Sequence, residues 1–281
     1  MIARSVLAIA ISVLLGSAAA ASTLERVEVS GLFKIGFRED AAPFSYRNDA
    51  GEPAGYMVDL CRAVAGGVKR DLGLAEVEIA YVPVSAETRF DAIEEGRIDI
   101  LCGPTTVTLE RRERIDFSLP TFIDGASVLY KADGPKTFEA LAGLNVGVRG
   151  GTTTQEALAT TLKRMKLDAQ IVAVADHADG LQRLEDGAIA AYFADQGILY
   201  HLSTTSADPQ SLRISDRHFT IEPYALGMAR GDTDFRLSVD RTLARIYRSG
   251  EIATLFRRSF GAGAAPSRLL QGLYTINQLP E

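Results

Sequence analysis

Four short polar stretches carry the residues best suited to hold a ligand. They are Gly103-Pro104-Thr105-Thr106, the charged run Glu110-Arg111-Arg112-Glu113-Arg114, Arg149-Gly150-Gly151-Thr152-Thr153, and Asp195. Three of them begin where an apolar run ends, after Ile98-Cys102, Asn145-Val148 and Ala188-Phe193. In open α/β sheets, ligands gather at such strand ends. Gly150-Gly151 allows the backbone to come close to a ligand, and a following helix offers unpaired N–H groups and the positive end of its dipole, so an anion is the expected guest. The glycines match neither a Walker A nor a dinucleotide spacing, which makes carboxylate a simpler guest than phosphate. Alone, the run at 110–114 is an ordinary solvated helix face, and Asp195 reads equally well as a helix N-cap before Gln196-Tyr200.

Other chemistries find less support. The three histidines, His177, His201 and His218, lack metal-ligand spacing, and no nucleophile elbow marks a Ser-His-Asp site, so neither metal nor cofactor is expected. Glu39, Asp40 or Glu87 would serve as a proton donor, but no paired-carboxylate motif surrounds them. Lys and Arg number 30 against 36 Asp and Glu, a net charge of −6, which gives no bulk attraction for nucleic acid or anionic lipid.

The elements that must position these residues alternate short apolar strands with amphipathic helices, an α/β rhythm with largely parallel sheets. Strands are expected at Phe33-Phe37, Val77-Val82, Ile98-Cys102, Asn145-Val148 and Ala188-Phe193; helices at Val58-Lys69, Thr88-Glu95, Thr154-Met165, Gly180-Glu185 and Phe235-Ser249. In the last, Phe235, Val239, Leu243 and Ile246 share one face. The segments Phe90-Ile98 and Leu181-Ile189 each run from helix through Gly96 or Gly187 into a strand, which suggests two lobes built alike. Ala262 to Pro266 breaks the last long helix, and Leu269 to Leu279 follows as a short closing element.

At the N-terminus, Arg4, an apolar run from Val6 to Leu15 and small residues to Ser22 have the layout of a secretory signal peptide over 1–21, cleaved after Ala20 or Ala21. The run is too short to span a bilayer, and no later segment is long and apolar enough. In an oxidising compartment Cys61 and Cys102 are expected to form a disulfide, two buried free thiols being the alternative.

The segments Pro43-Phe44-Ser45-Tyr46, Gly55-Tyr56-Met57-Val58-Asp59-Leu60, Gly96-Arg97-Ile98-Asp99, Thr108-Leu109-Glu110-Arg111, Asp116-Phe117-Ser118 and Gly151-Thr152-Thr153 occur in this order over roughly Leu32 to Gly261. Together they resemble the family 3 extracellular solute-binding proteins, the amino-acid receptors of bacterial ABC importers. The resemblance implies a two-lobed periplasmic-binding-protein fold of type II with two crossover hinge strands. Lobe 1 would comprise 22–120 and 225–281, lobe 2 125–221, with hinges about 121–125 and 220–224. It implies a periplasmic, monomeric receptor that binds one amino acid and is read by a membrane permease.

By the same resemblance Arg111 matches the arginine that pairs with the ligand α-carboxylate, for which a planar guanidinium fork is suited. Thr106 matches a ligand-binding residue, Pro104 a carbonyl that meets the α-ammonium, Thr153 a carboxylate donor from lobe 2, and Asp195 the acid that holds the ammonium. Where many members have aromatic walls, this chain has Ala41 and Ala86. Arg38, Arg89 and His177 resemble the cationic pocket of the glutamate/aspartate receptors, and an acidic amino acid is the expected ligand. Arg149 departs from that pattern, where a small hydroxyl residue stands. Phe44 and Tyr56 read as packing, and Tyr224 as a hinge residue. Cyclohexadienyl or arogenate dehydratases share the scaffold, and a soluble amino-acid sensor would share the site.

Overall fold

The computed structural model describes residues 21–281, so the expected signal peptide lies, except for Ala21, outside the described residues. Two five-stranded sheets form the frame. The first runs in the order Glu78–Val84, Leu32–Arg38, Ile100–Cys102, Gly227–Ala229, Ile115–Phe117, and the second in the order Gln170–Val174, Asn145–Arg149, Ala191–Asp195, Ala126–Lys131, Leu212–Ile214. The first three strands of each are parallel, but Gly227–Ala229 and Ala126–Lys131 run antiparallel to their neighbours. The sheets are therefore less parallel than expected. Each antiparallel strand follows a passage of the chain from one sheet to the other. A chain that enters from the side of the cleft meets the carboxyl ends of the parallel strands and must run against them.

The stretches expected as hinges contain two short strands, Phe122–Asp124 and Glu222–Tyr224, paired antiparallel between the two sheets. Behind them the rings of Phe44, Phe122, Tyr224 and Phe260 pack edge to face or stacked, with centroids 4.9 to 6.1 Å apart. Phe44, Tyr56 and Tyr224 are fully buried here.

Helices form where the apolar spacing predicts them. Tyr56–Asp71 and Thr233–Ser249 pack on the first sheet, and Phe235, Val239, Leu243 and Ile246 are all buried. Each such side chain contributes about 1.5–3 kcal/mol of burial before entropy is counted. Gly96 and Gly187 both take the left-handed conformation, with φ of 65° and 74°, which glycine adopts without a Cβ penalty. Cys61 and Cys102 form a disulfide across 41 residues, tying the helix Tyr56–Asp71 to the strand that ends at the Gly103-Pro104 loop. By loop length such a link is worth roughly 4 kcal/mol. After Phe260 the chain forms a further helix, Arg268–Ile276, whose Tyr274 hydroxyl meets that of Tyr56 at 2.8 Å.

Candidate functional site

The carboxyl ends of both sets of parallel strands face one cavity. Arg38, Arg89, Pro104, Thr106, Arg111, Arg149, Thr153, His177 and Asp195 all line it, together with Thr152, Thr154, Phe193, Ala194 and Ile198.

Arg111 is placed by its own helix. Thr108 is the N-cap of Leu109–Arg114, its Oγ1 accepting from Arg111 N at 3.1 Å. Side chains of a helix tilt toward its N-terminus, so Arg111 reaches back over the strand-end loop, where Nη1 donates to Thr106 O at 2.8 Å. Its guanidinium lies 5.3 Å from the centroid of Phe90. Arg112 is exposed, and Arg114 is paired with Asp91 and Glu94.

Arg38 and Arg89 are 3% and 2% exposed. Arg38 Nε donates to Asp40 Oδ1 at 2.8 Å; Nη2 lies 2.6 Å from the same oxygen without the angle of a hydrogen bond, and has no acceptor of its own. Arg89 Nη2 reaches Gly151 O at 3.3 Å, while its Nε and Nη1 are buried with no partner. Burial, and then the nearby charges of Arg111 and Arg38, push the Arg89 pKa well below its usual value. A guanidinium keeps its proton in a protein, so the cavity carries a positive charge that its own residues do not balance.

Arg149 stands apart from these. Nη1 and Nη2 bind the two oxygens of Glu87 at 2.5 and 3.2 Å, and Nε faces Asp40 Oδ2 at 3.4 Å. Glu87 and Asp40 belong to the first sheet's side of the cleft, and Arg149 ends a strand of the second. Three of its five N–H groups are thus engaged across the cleft. Burial opposes the ionised forms of Asp40 and Glu87, but bonds and charges led by Arg38 and Ser85 respectively outweigh it and lower both pKa values. Glu39 pairs with Arg47.

His177 is 5% exposed and its Nδ1 meets the Tyr192 hydroxyl at 2.7 Å. Burial is the main cause that brings its pKa down to about 4, so the ring is neutral near pH 7 and adds hydrogen bonding rather than charge.

Asp195 occupies the N-cap position of Gln196–Thr205, yet its carboxylate caps nothing. It accepts instead from Thr154 Oγ1 at 2.7 Å and from the Tyr224 hydroxyl at 2.6 Å. Asp124 takes over the capping, with Gly197 N 3.1 Å from its Oδ2. Burial, then the proximity of Glu222, raises the Asp195 pKa to about 6; burial, then Asp195, raises that of Asp124 further.

One residue central to this geometry escaped sequence reasoning. Glu222 is 2% exposed and accepts from Thr106, Thr153 and Thr220, whereas its neighbour Ile221 is 77% exposed. Hydropathy would turn the two the other way. The available signal was the period of two, since Thr220, Glu222 and Tyr224 fall on one side of an extended strand.

Two like-built sheets with a polar cavity at their facing strand ends define a binding protein of the two-lobed type II class. The chain belongs to the bacterial extracellular solute-binding proteins, family 3, which it matches over residues 33–262. It is 31% identical to the L-glutamate/L-aspartate-binding protein of Pseudomonas aeruginosa over 249 residues, 88% of this chain and 82% of that one. It is 29% identical to the glutamate/aspartate import solute-binding protein of Escherichia coli over 273 residues, 95% and 90% of the two chains. Among solved structures, an ancestral amino acid-binding protein described as a precursor of cyclohexadienyl dehydratase superposes with a TM-score of 0.73 at 26% identity, covering 85% of this chain and all of that one (100%). A periplasmic binding protein from Brucella ovis with glutathione bound gives 0.75 at 27% identity, covering 83% and 73%.

Proposed function

We propose that this chain is a periplasmic receptor that captures one acidic amino acid, glutamate or aspartate, and presents it to the membrane permease of an ABC importer. The observation that carries the reading is the set of buried guanidinium nitrogens without acceptors, Arg89 Nε and Nη1 and Arg38 Nη2, at a site already holding Arg111. An unmet buried donor costs about 1–3 kcal/mol, more when charged, and a ligand with two carboxylates removes that cost in one step. Arg111 takes the α-carboxylate, Arg38 and Arg89 take the side-chain carboxylate with His177 as a neutral hydrogen-bonding neighbour, and Asp195 takes the ammonium together with the Pro104 carbonyl. The names of the relatives from Pseudomonas aeruginosa and Escherichia coli point the same way.

The lobes in this reading are 22–120 with 225–281, and 125–221. They turn about the crossing strands near 121–125 and 220–224, and Arg149 latches them by reaching Glu87 and Asp40 when they close. A dehydratase on this scaffold would need an acid in the cleft with its proton retained near neutral pH. Asp40 and Glu87 are instead shifted toward the ionised form, by groups led by Arg38 and Ser85 respectively. Asp195, raised to about 6, is the acid such an enzyme would have to use, so turnover is the deciding measurement. A thermal-shift screen of the twenty amino acids, with prephenate turnover assayed alongside, tests the proposal. A shift with glutamate or aspartate and no turnover is expected; a shift only with basic or neutral amino acids, or turnover, would sink it.

A further inference from the structure

The buried carboxylate of Glu222 holds both of the cleft hydroxyls that come from opposite lobes. Its Oε2 lies 2.5 Å from Thr106 Oγ1 and 2.7 Å from Thr153 Oγ1, and its Oε1 accepts from Thr220 Oγ1 at 2.9 Å. A carboxylate has no proton to give, and a threonine hydroxyl has one. Both threonine protons therefore point at Glu222. The 3.2 Å contact between Thr106 Oγ1 and Thr153 Oγ1 then has no hydrogen within it, so two oxygens turn lone pairs toward each other and toward the cavity they line. The same holds beside them: Thr154 and Tyr224 give their hydroxyl protons to Asp195. This part of the cavity is a wall of acceptors.

We infer that Glu222 is a positioning residue for amine recognition: by holding the Thr106 and Thr153 hydroxyls as acceptors, it tunes the cavity to an ammonium group and against any ligand that places an oxygen there. The inference rests on the receptor reading and deepens it. Discrimination between an amino acid and its 2-oxo counterpart is set in part by a residue on a crossing strand that does not itself line the cavity. It also changes the part played by Thr153. With its hydroxyl proton spent, what it offers a ligand carboxylate is its amide N–H, in the first turn of Thr153–Met165, where such groups have no partner within the helix.

Glu222→Leu tests this, because an aliphatic side chain accepts no hydrogen bond and frees the Thr106 and Thr153 protons to turn toward the cavity. Calorimetric titration of the wild type and the variant with L-glutamate and with 2-oxoglutarate is the measurement. The variant is expected to lose about tenfold in glutamate affinity while 2-oxoglutarate binding strengthens, the size of one hydrogen bond exchanged for an unmet polar group. Equal losses for both ligands, or none, would overturn the inference. Thr153→Val keeps Glu222 and removes one acceptor; it should weaken glutamate by a similar factor without improving 2-oxoglutarate. If Glu222→Leu does not fold, unchanged glutamate affinity in Thr153→Val overturns the inference by itself. Should the wild type bind another amino acid but neither glutamate nor aspartate, the acidic specificity falls, and the same variants with that amino acid and its 2-oxo counterpart still decide the role of Glu222. A wild type that binds no amino acid overturns both.

Discussion

Gly36 in the first sheet and Gly147 in the second do the same work. At each, an added Cβ would come within 2.4 Å of an isoleucine Cδ1, that of Ile98 and of Ile189 respectively. The turn that delivers each isoleucine is closed by the same bonds: Arg97 N and Ile98 N to Ala92 O in one lobe, Ala188 N and Ile189 N to Arg183 O in the other. At the cleft the likeness ends. The first sheet's side presents Arg38, Arg89 and Arg111, charged groups that its own residues leave in excess. The second presents a helix N-terminus, hydroxyls, Asp195 and a single arginine, Arg149, which is already paired with Glu87 and Asp40. Packing holds the scaffold of both lobes to one solution, because a close approach between strand and turn admits little else. Strand ends are under no such restraint, so the two sides of the cavity differ in charge while their frames agree.

The contrast is broken most sharply at Arg111. Arg111→Ala should weaken glutamate binding by about 100-fold or more, roughly 3 kcal/mol, because it strands a buried carboxylate; Arg112→Ala should change it by less than about twofold, on the scale of exposed charges. Equal affinities of the two variants in calorimetry would remove Arg111 from its role. Next in size, Gly36→Ala and Gly147→Ala should each lower thermal stability by about 1–3 kcal/mol through overpacking. Gly36→Ala should be the worse of the two, since the Ile98 Cγ2 also lies only 3.0 Å from the added atom. A harmless Gly147→Ala would show that the second lobe yields where the first does not.

A pH titration sharpens the electrostatic half of the comparison. In the free protein Asp195 carries its proton below about 6, and an ammonium ligand requires it ionised. Binding then releases a proton, so affinity is full above that pH and falls as pH drops through it, by about 1.4 kcal/mol per unit at most. Asp195→Asn should bind weakly and without that slope. The smallest effect is expected at the latch. Arg149→Met removes pairs with Glu87, whose side chain is 48% exposed, and with Asp40. It should cost about 1 kcal/mol of affinity, seen as faster ligand release in stopped flow, because a partly solvated pair is worth little. A loss as large as that of Arg111→Ala would mean that Arg149 touches the ligand.

Most of the frame was legible in the chain. Five expected strands and five expected helices are present within a few residues of their places, and Gly96 and Gly187 adopt the φ that their position past a helix requires. Besides Ala126–Lys131 and Gln170–Val174, the elements left unread include three-residue strands such as Gly227–Ala229 and Phe122–Asp124, which pair with partners about a hundred or more residues distant. Their local pattern is too brief to display a period. The helix Thr23–Ser30 was missed as well, since it begins immediately after the expected cleavage point and buries little besides Val27.

By itself the sequence determined the α/β rhythm, the repeated helix-glycine-strand unit and the strand ends that carry polar residues, because alternation and glycine stops are local properties that survive in one dimension. The choice of site side chains came from the resemblance of its ordered motifs to a family. Only the tertiary structure decided what those side chains have left to give. Arg89 and Arg149 are the same residue type at neighbouring walls, yet one keeps two buried nitrogens without acceptors and the other is paired with Glu87 and Asp40. Asp195 reads as a cap in the chain, but in the fold it caps nothing and accepts from Thr154 and Tyr224. Glu222 sits inside while Ile221 lies outside, against their hydropathy. Hydrogen-bonding capacity is settled by partners from distant segments, and a sequence does not carry the distances that assign them.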